Sequence, residues 1–411
     1  MDITLQKSKI VNRNSDITIT GSKSESNRLL LLQALYPELK INNLSNSDDT
    51  LVMSEALRSP SHNIDVHHAG TAMRFLTAFF STQKGREVVL TGSYRMQERP
   101  IHILVDALQQ LGAAITYEKT QGYPPIKITG KEFTKYKVTL KANVSSQYIS
   151  ALMLIAPKLK NGLELTLKGE ITSVPYINMT LSLLNQIGVE TSFNENVIII
   201  KPALQNLISK TITVESDWSS ASYYYSIVAL SDVGTAIKLS AYKQNSLQGD
   251  SVLAKIYKAF GVETTFNEES IILKKTSDAN NNLLIKLDLS NAPDIAQTIA
   301  VTCLGLGIGC ELSGLHTLKI KETDRLEALK TEIEKFGTQV TITEDALKIS
   351  NITPLKENVS VNTYNDHRMA MAFAPLALKI GFKVNDATVV SKSYPNYWED
   401  LQKIGFSLNE F

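Results

Sequence analysis

The stretches LNQIGVETSFNENVIII (Leu184–Ile200) and IYKAFGVETTFNEESIIL (Ile256–Leu273) are two copies of one pattern. In each, a run with helical spacing ends in an apolar residue and a glycine, and two short segments follow. The alternation in VETSF and VETTF has the period-2 signature of a strand. The glycine stands where a helix C-cap requires a positive φ, and NEN or NEE turns the chain into a second strand. Two more copies are LQQLGAAITYEK (Leu108–Lys119) and IEKFGTQVTITEDALKI (Ile333–Ile349). Gly112, Gly188, Gly261 and Gly337 thus recur every 73–76 residues, which implies a repeated supersecondary unit.

Outward from these copies the pattern becomes incomplete at both ends. LQKIGFSL (Leu401–Leu408) starts another copy, but the chain reaches Phe411 before a second strand. The opening residues DITLQKSKI (Asp2–Ile10) read as a strand with no helix ahead of it, so the N-terminus is predicted to complete the last unit. Near DDTLVMSEALRS (Asp48–Ser59) the helix runs into Pro60 with no strand pair behind it, which reads as a truncated unit. With 411 residues, more than one core is expected. The expectation is an α/β (α+β) protein of about six units, with helices facing inward from mixed sheets. One domain would be discontinuous, 1–18 plus 215–411. The other would be 19–214, carrying the truncated first unit.

Net charge is +1, from 42 basic and 41 acidic residues, without the basic excess or basic block of a general nucleic-acid binder. Cys303 and Cys310 are the two cysteines; both lie in an apolar run, which excludes a disulfide framework and reads as core. No run approaches the ~20 apolar residues of a membrane span, and the N-terminus has neither a signal core nor an Arg-rich transit segment. A cytoplasmic protein is expected, with no membrane and no nucleic-acid partner.

The chemistry gathers where helices begin. GSKSESNRLLLLQAL, HHAGTAMRFLTAFF, SSQYISALMLIAP, SDWSSASYYYSIVAL, APDIAQTIAV, KETDRLEALKTEIEKFG and NDHRMAMAFAPLAL each place capping residues before an apolar stripe. Several carry cations at that end: Lys23 and Arg28, Arg74, Lys321 and Arg325, Arg368. A helix N-terminus already bears unbonded N–H groups and partial positive charge. Added cations oppose the helix unless an anion supplies the missing charge, so small, multiply anionic ligands are expected. Arginine suits bidentate carboxylate or phosphate contacts and lysine acts as a point charge. Other motifs are weak. GLGIG (Gly305–Gly309) lacks the strand-turn-helix setting of a phosphate loop. His67 and His68 have no third ligand at a recognisable spacing, so no metal is expected.

Taken in order, Gly21–Arg28 (GSKSESNR), Ala69–Arg74 (AGTAMR), Arg95–Pro100 (RMQERP), Ser145–Gln147 (SSQ), Ser173–Tyr176 (SVPY), Pro293–Asp294, Lys321–Arg325 (KETDR), Asn365–Met369 (NDHRM) and Lys392–Pro395 (KSYP) resemble the EPSP synthase family, along nearly the whole chain. The resemblance implies two similar domains of three repeated βαβαββ-like units, an active site in the inter-domain cleft, and a monomer. It implies transfer of the enolpyruvyl group of phosphoenolpyruvate to the 5-hydroxyl of shikimate 3-phosphate, with no cofactor and small-molecule partners only. It assigns Lys23, Ser24, Arg28, Ser145, Ser146, Gln147, Ser173, Tyr176, Asp294 and Lys321 to shikimate 3-phosphate. Lys23, Gly70, Thr71, Arg99, Gln147, Arg325, Arg368 and Lys392 fall to phosphoenolpyruvate. The addition–elimination needs a base near the hydroxyl, an acid and base near C3, and cations around the leaving phosphate. Asp294 is the candidate base and Glu322 the acid and base at C3, with Lys23 sharing in proton transfer.

His68, Phe75 and Thr317 depart from the family's usual Asn, Pro and Asn. Phe75 follows the turn expected to face phosphoenolpyruvate. Two other functions compete. Transfer to UDP-N-acetylglucosamine typically uses a reactive cysteine on a mobile loop, which Cys303 and Cys310 are poorly placed to be. A non-catalytic anion-binding module would keep the cations, yet Asp294 and Glu322 are both present.

Overall fold

The computed structural model describes every residue except 11–13, 142–144, 170, 172–173, 204–209, 281–283, 351–352 and 411. Ser173, one of the expected substrate contacts, lies outside the described residues. The chain divides into two compact units, 1–20 with 215–411, and 21–214. The N-terminal segment of the first therefore runs to Thr20, two residues past the expected boundary.

The repeat read from the glycines is present in the sheets. In 21–214, strand Asn63–Asp65 runs parallel to Glu87–Thr91, which pairs antiparallel with Ile126–Thr129, and that strand pairs with Ala114–Tyr117. Lys137–Lys141, Leu163–Lys168, Val197–Ile200 and Thr191–Asn194 repeat the order. The parallel pair requires a crossover, supplied by a helix, while the last two strands form a tight hairpin. In the other unit the order recurs as Asn14–Ile17, Ala236–Ser240, Ser270–Lys275, Val262–Phe266, and as Leu284–Asp288, Gly309–Ser313, Leu347–Ile349, Val340–Ile342.

Two sheets explain the ragged ends of the repeat. Ser360–Val361 and Phe382–Val384 are parallel, and Leu408–Glu410 closes the far edge. The strand between them is Ile3–Leu5, antiparallel to both neighbours. The first residues of the chain thus fill the third place in the sheet of its last unit. The truncated unit is the pair Thr211–Thr213 and Lys40–Asn42, parallel and without a hairpin beside it among the described residues. Its second helix, Asp48–Arg58, leads instead to strand Asn63–Asp65 of the next sheet. Gly112, Gly188, Gly261, Gly337 and Gly405 have φ of 113, 91, 75, 101 and 112° at the ends of their helices.

Each unit contains inner and outer helices. The inner ones, Lys23–Leu35, Gly70–Ser81 and Ser146–Ile155 in 21–214, pack on one another and are buried nearly all round. Trp218–Leu230, Ala296–Leu306 and His367–Phe373 do the same in the other unit. A helix apolar on every face must be wholly covered. Their interior hydroxyls pair with each other, as in Ser222 with Thr298 at 3.0 Å and Thr302 with Ser226 at 2.8 Å. Outer helices such as His102–Leu111 bury one stripe, here Leu104, Val105, Ala107, Leu108 and Leu111. GLGIG spans the end of Ala296–Leu306 and the start of strand Gly309–Ser313, and a Cβ on Gly305 would come within 2.8 Å of Leu230 and Leu376. It is a packing contact. Cys303 and Cys310 are buried free thiols. No helix is long and apolar enough to cross a membrane, among the described residues.

Candidate active-site residues

In 21–214 the expected contacts cluster at the starts of the inner helices. Arg28 is 3% exposed. Its Nε donates to Thr180 Oγ1 at 2.8 Å, Nη1 to the Ser24 carbonyl at 2.8 Å and Nη2 to Ser150 Oγ at 2.9 Å. The guanidinium lies over the rings of Phe75 and Tyr176, 5.5 and 5.7 Å from their centroids. All these partners are neutral, and burial lowers its pKa to about 10, against smaller favourable effects of Tyr176 and Glu25. Arg74, also 3% exposed, donates to the carbonyls of Gly70 and Pro100 and toward Met96 Sδ. Burial, then the positive charge of Arg99, lowers it to about 10. Both remain cations at neutral pH. Among the described residues, Arg28, Arg74 and Arg99 form no ion pair.

Gly70 opens helix Gly70–Ser81, and a Cβ there would lie 2.6 Å from Arg99 Nη1. The space its missing side chain leaves is therefore what lets Arg99 lie against the helix start. Ser22 and Ala69, which precede Lys23–Leu35 and Gly70–Ser81, make no side-chain cap. Among the described residues, neither of these two cap side chains occupies the first N–H groups, the groups an anion meets at a helix start. Gln147 donates to Thr71 Oγ1 at 3.1 Å, joining two of the expected contacts, and Ser145 caps Ser146–Ile155 through Gln147 N. Lys23 Nζ lies 3.3 Å from Asp49 Oδ2, and His68 Nε2 is 3.9 Å from Asp49 Oδ1.

In the other unit Arg325 is 2% exposed and meets three carboxylates. Nε donates to Asp366 Oδ2 at 2.6 Å, Nη1 to Asp294 Oδ1 at 2.9 Å and Nη2 to Glu322 Oε2 at 2.7 Å. Burial alone would lower its pKa, but Asp366, Glu322 and Asp294 raise it above the ordinary arginine value. The anion expected at this cation is thus supplied from within the chain. Asp294 sits in the short turn Pro293–Ile295 and is shared by Lys321 Nζ at 3.4 Å and Arg368 Nη2 at 3.5 Å. Asp366 also caps helix His367–Phe373 through Arg368 N at 2.8 Å, so one side chain fixes the helix start and clamps Arg325. Lys392 Nζ donates to the Asn365 carbonyl at 2.7 Å. Lys321 follows a 3-10 turn, His316–Ile320, and lies just ahead of helix Arg325–Lys335, whose N-cap is Asp324.

Asp294, Glu322, Lys321, Arg325 and Arg368 thus form one charged cluster, and the KETDR, NDHRM and Pro-Asp segments are its three sources. The family model for EPSP synthase (3-phosphoshikimate 1-carboxyvinyltransferase) matches residues 57–401. The chain belongs to the EPSP synthase family. The 3-phosphoshikimate 1-carboxyvinyltransferase of Bacteroides fragilis strain YCH46 is 46% identical over 397 residues, 95% of each chain. That of Shewanella denitrificans is 36% identical over 422 residues, covering 95% of this chain and 96% of its own. EPSP synthase from Acinetobacter baumannii superposes with a TM-score of 0.79 over all of both chains at 19% identity. The enolpyruvyl transferase NikO from Streptomyces tendae gives 0.71 over 99% and 98% at 11% identity. At such identities these two structures speak for the fold.

Within the family frame, sequence reasoning left out several side chains that touch the expected contacts. Asp49 faces Lys23, Ser150 and Thr180 hold Arg28, and Asp366 holds Arg325. Arg74 is a helix-start cation to which the sequence reading assigns no ligand. Ser146 with Ser150 and Tyr176 with Thr180 stand at i,i+4, a spacing that puts each pair on one helix face. No spacing joins Asp49 to Lys23. Among the described residues no group of three or more His, Cys, Asp or Glu could hold a metal.

Proposed function

We infer that this protein is a 3-phosphoshikimate 1-carboxyvinyltransferase. It transfers the enolpyruvyl group of phosphoenolpyruvate to the 5-hydroxyl of shikimate 3-phosphate and releases phosphate, a step of the shikimate pathway. We further propose a cytoplasmic, monomeric enzyme with the following residue roles. Arg28, with Ser24, Tyr176 and the serines and amide of Ser145–Gln147, binds shikimate 3-phosphate. Ser173, outside the described residues, belongs to the same set. Buried cations without an internal counter-ion gain most from a phosphate. Arg99, with Gly70 and Thr71, binds phosphoenolpyruvate together with Arg325, Arg368 and Lys392, and Lys23 serves both substrates.

The observation that carries the mechanism is the position of Asp294 among Lys321, Arg325 and Arg368. Substrate anions compete with Asp294 for those cations. As Lys321 and Arg368 turn to the substrates, an Asp294 oxygen is released to take the 5-hydroxyl proton while the 5-oxygen of shikimate 3-phosphate attacks C2. Glu322 enters this step in its acid form and gives its proton to C3, producing a tetrahedral intermediate. Phosphate then leaves with the proton that Asp294 took, a C3 proton returns to Glu322, and Lys23 shares in the proton transfer at C3. Cations near the leaving phosphate stabilise the charge that develops there.

The test is phosphate release by the purified protein, with each substrate omitted in turn. Release must require both substrates. Asp294→Asn is expected to lower kcat by about 10²–10⁴-fold, the usual range for a lost general base, while the protein still binds both. Substantial turnover in Asp294→Asn would reject it as the base. Release with UDP-N-acetylglucosamine in place of shikimate 3-phosphate would reject the substrate assignment.

A further inference from the structure

The unit of 1–20 and 215–411 holds a buried carboxylate that the mechanism above does not use. Asp250, 6% exposed, lies in the short turn Gly249–Val252. Ser219, in the first turn of inner helix Trp218–Leu230, donates its hydroxyl proton to Asp250 Oδ2. Arg368 Nη2 donates to that same hydroxyl oxygen at 3.2 Å, and Arg368 Nη1 donates to the Asp294 carbonyl at 3.2 Å. A hydroxyl has one proton and two lone pairs. With the proton committed to Asp250, Ser219 turns a lone pair toward the guanidinium. The donor order therefore runs from Arg368 to Ser219 to Asp250, and reversing it would aim an O–H at an N–H.

We propose that Ser219 and Asp250 are positioning residues for phosphoenolpyruvate binding: Ser219 holds the Arg368 guanidinium in place, and Asp250 offsets part of its charge. The proposal rests on the reading of Arg368 as a phosphoenolpyruvate contact. The charged groups facing Asp250 are Asp294, Arg368 and Asp217, with Ser219 as hydrogen-bond partner. Burial first, then Asp294, push Asp250 up to about 7 against the pull of Arg368 and Ser219. At pH 8 Asp250 is an anion that competes with substrate for Arg368. At pH 6 it is neutral and more of the arginine's charge faces the substrate. The affinity for phosphoenolpyruvate should therefore weaken as pH rises through about 7, beyond what ionisation of the substrate's own phosphate imposes. Stability follows the same group. Its folded pKa lies above its unfolded value, so the folded chain holds the extra proton between about pH 4 and 7, and that share of stability is lost as pH rises through about 7.

The experiment measures kcat and both KM values from pH 5.5 to 9 for the wild type, Ser219→Ala, Asp250→Asn and Arg368→Lys, with melting temperatures at pH 5 and 8. Ser219→Ala is expected to raise KM for phosphoenolpyruvate about 10-fold or more, the effect of losing one hydrogen bond to a charged group. KM for shikimate 3-phosphate should stay within about two-fold. Asp250→Asn retains an acceptor oxygen for Ser219 but no charge. It should match the wild type at pH 6, bind phosphoenolpyruvate more tightly at pH 8, and melt higher than the wild type at pH 8 but not at pH 5. The proposal is overturned if Arg368→Lys raises KM for phosphoenolpyruvate while Ser219→Ala and Asp250→Asn keep wild-type constants and pH profiles. If Arg368→Lys itself leaves that KM unchanged, the Arg368 assignment falls, and this proposal falls with it.

Discussion

Arg28 and Arg325 are almost equally buried, at 3% and 2% exposure, yet their surroundings are opposite. Arg28 donates to two hydroxyls and a carbonyl, and burial draws its pKa down to about 10. Arg325 donates to three carboxylates that outweigh its burial and push its pKa up. The contrast extends to their neighbours. In 21–214, Arg74 and Arg99 also lack ion pairs among the described residues, and two inner helices start without a side-chain cap. In the other unit, Asp366 caps a helix and holds Arg325, while Asp294 is shared by three cations. In 21–214 the buried arginines Arg28 and Arg74 have no carboxylate partner among the described residues, whereas in the other unit Arg325 sits in a cluster of carboxylates and cations. A buried cation thus does not by itself announce an anion site; its counter-ions decide.

The largest expected effect separates the two arginines. Arg325→Gln leaves Asp294, Glu322 and Asp366 without their shared cation and should cost about 3–5 kcal/mol of folding stability, read by denaturant unfolding. Arg28→Gln should shift the unliganded protein by no more than about 1 kcal/mol, because it removes a buried charge that has no opposite partner. Equal losses in the two variants would break the comparison. Next, Arg28→Gln should raise KM for shikimate 3-phosphate by about 100-fold, corresponding to roughly 2.7 kcal/mol of charge-assisted hydrogen bonding. A rise under five-fold would remove Arg28 from that site. Inorganic phosphate should stabilise the wild type by up to about 2.7 kcal/mol at 100 times its dissociation constant, read as a higher melting temperature. That stabilisation should shrink in Arg28→Gln and in Arg74→Gln. If both variants respond like the wild type, Arg28 and Arg74 do not bind phosphate. The smallest effect is expected from Gly70→Ala, whose Cβ must displace the end of Arg99. A side chain that can swing aside limits the cost to about 1–2 kcal/mol, seen as a higher KM for phosphoenolpyruvate with the fold intact. An unchanged KM would mean that Arg99 does not act from that position.

The fold was legible because its repeat is written in local chemistry. Gly112, Gly188, Gly261, Gly337 and Gly405 mark helix ends that only a positive φ can make, and alternation marks the strands that follow. The ragged ends of the pattern pointed to a strand from the N-terminus and to a unit lacking its hairpin; the sheets contain Ile3–Leu5 between Phe382–Val384 and Leu408–Glu410, and the bare pair Thr211–Thr213 with Lys40–Asn42. Of the chemistry, the sequence showed which cations open helices and which motifs match the family. It expected an outside anion at Arg325, where the chain itself supplies Asp366, Asp294 and Glu322.

The sequence by itself determined the repeated unit, the discontinuous chain path and the family, since each is encoded in residues close together or in short motifs. Only the tertiary structure decided the electrostatic role of each cation. Asp49 reaches Lys23, Asp366 reaches Arg325, and Asp250 reaches Arg368 through Ser219, over sequence separations that no periodicity links. A charge is set by whatever lies within a few ångströms of it in a medium of low dielectric, and folding alone brings those groups together.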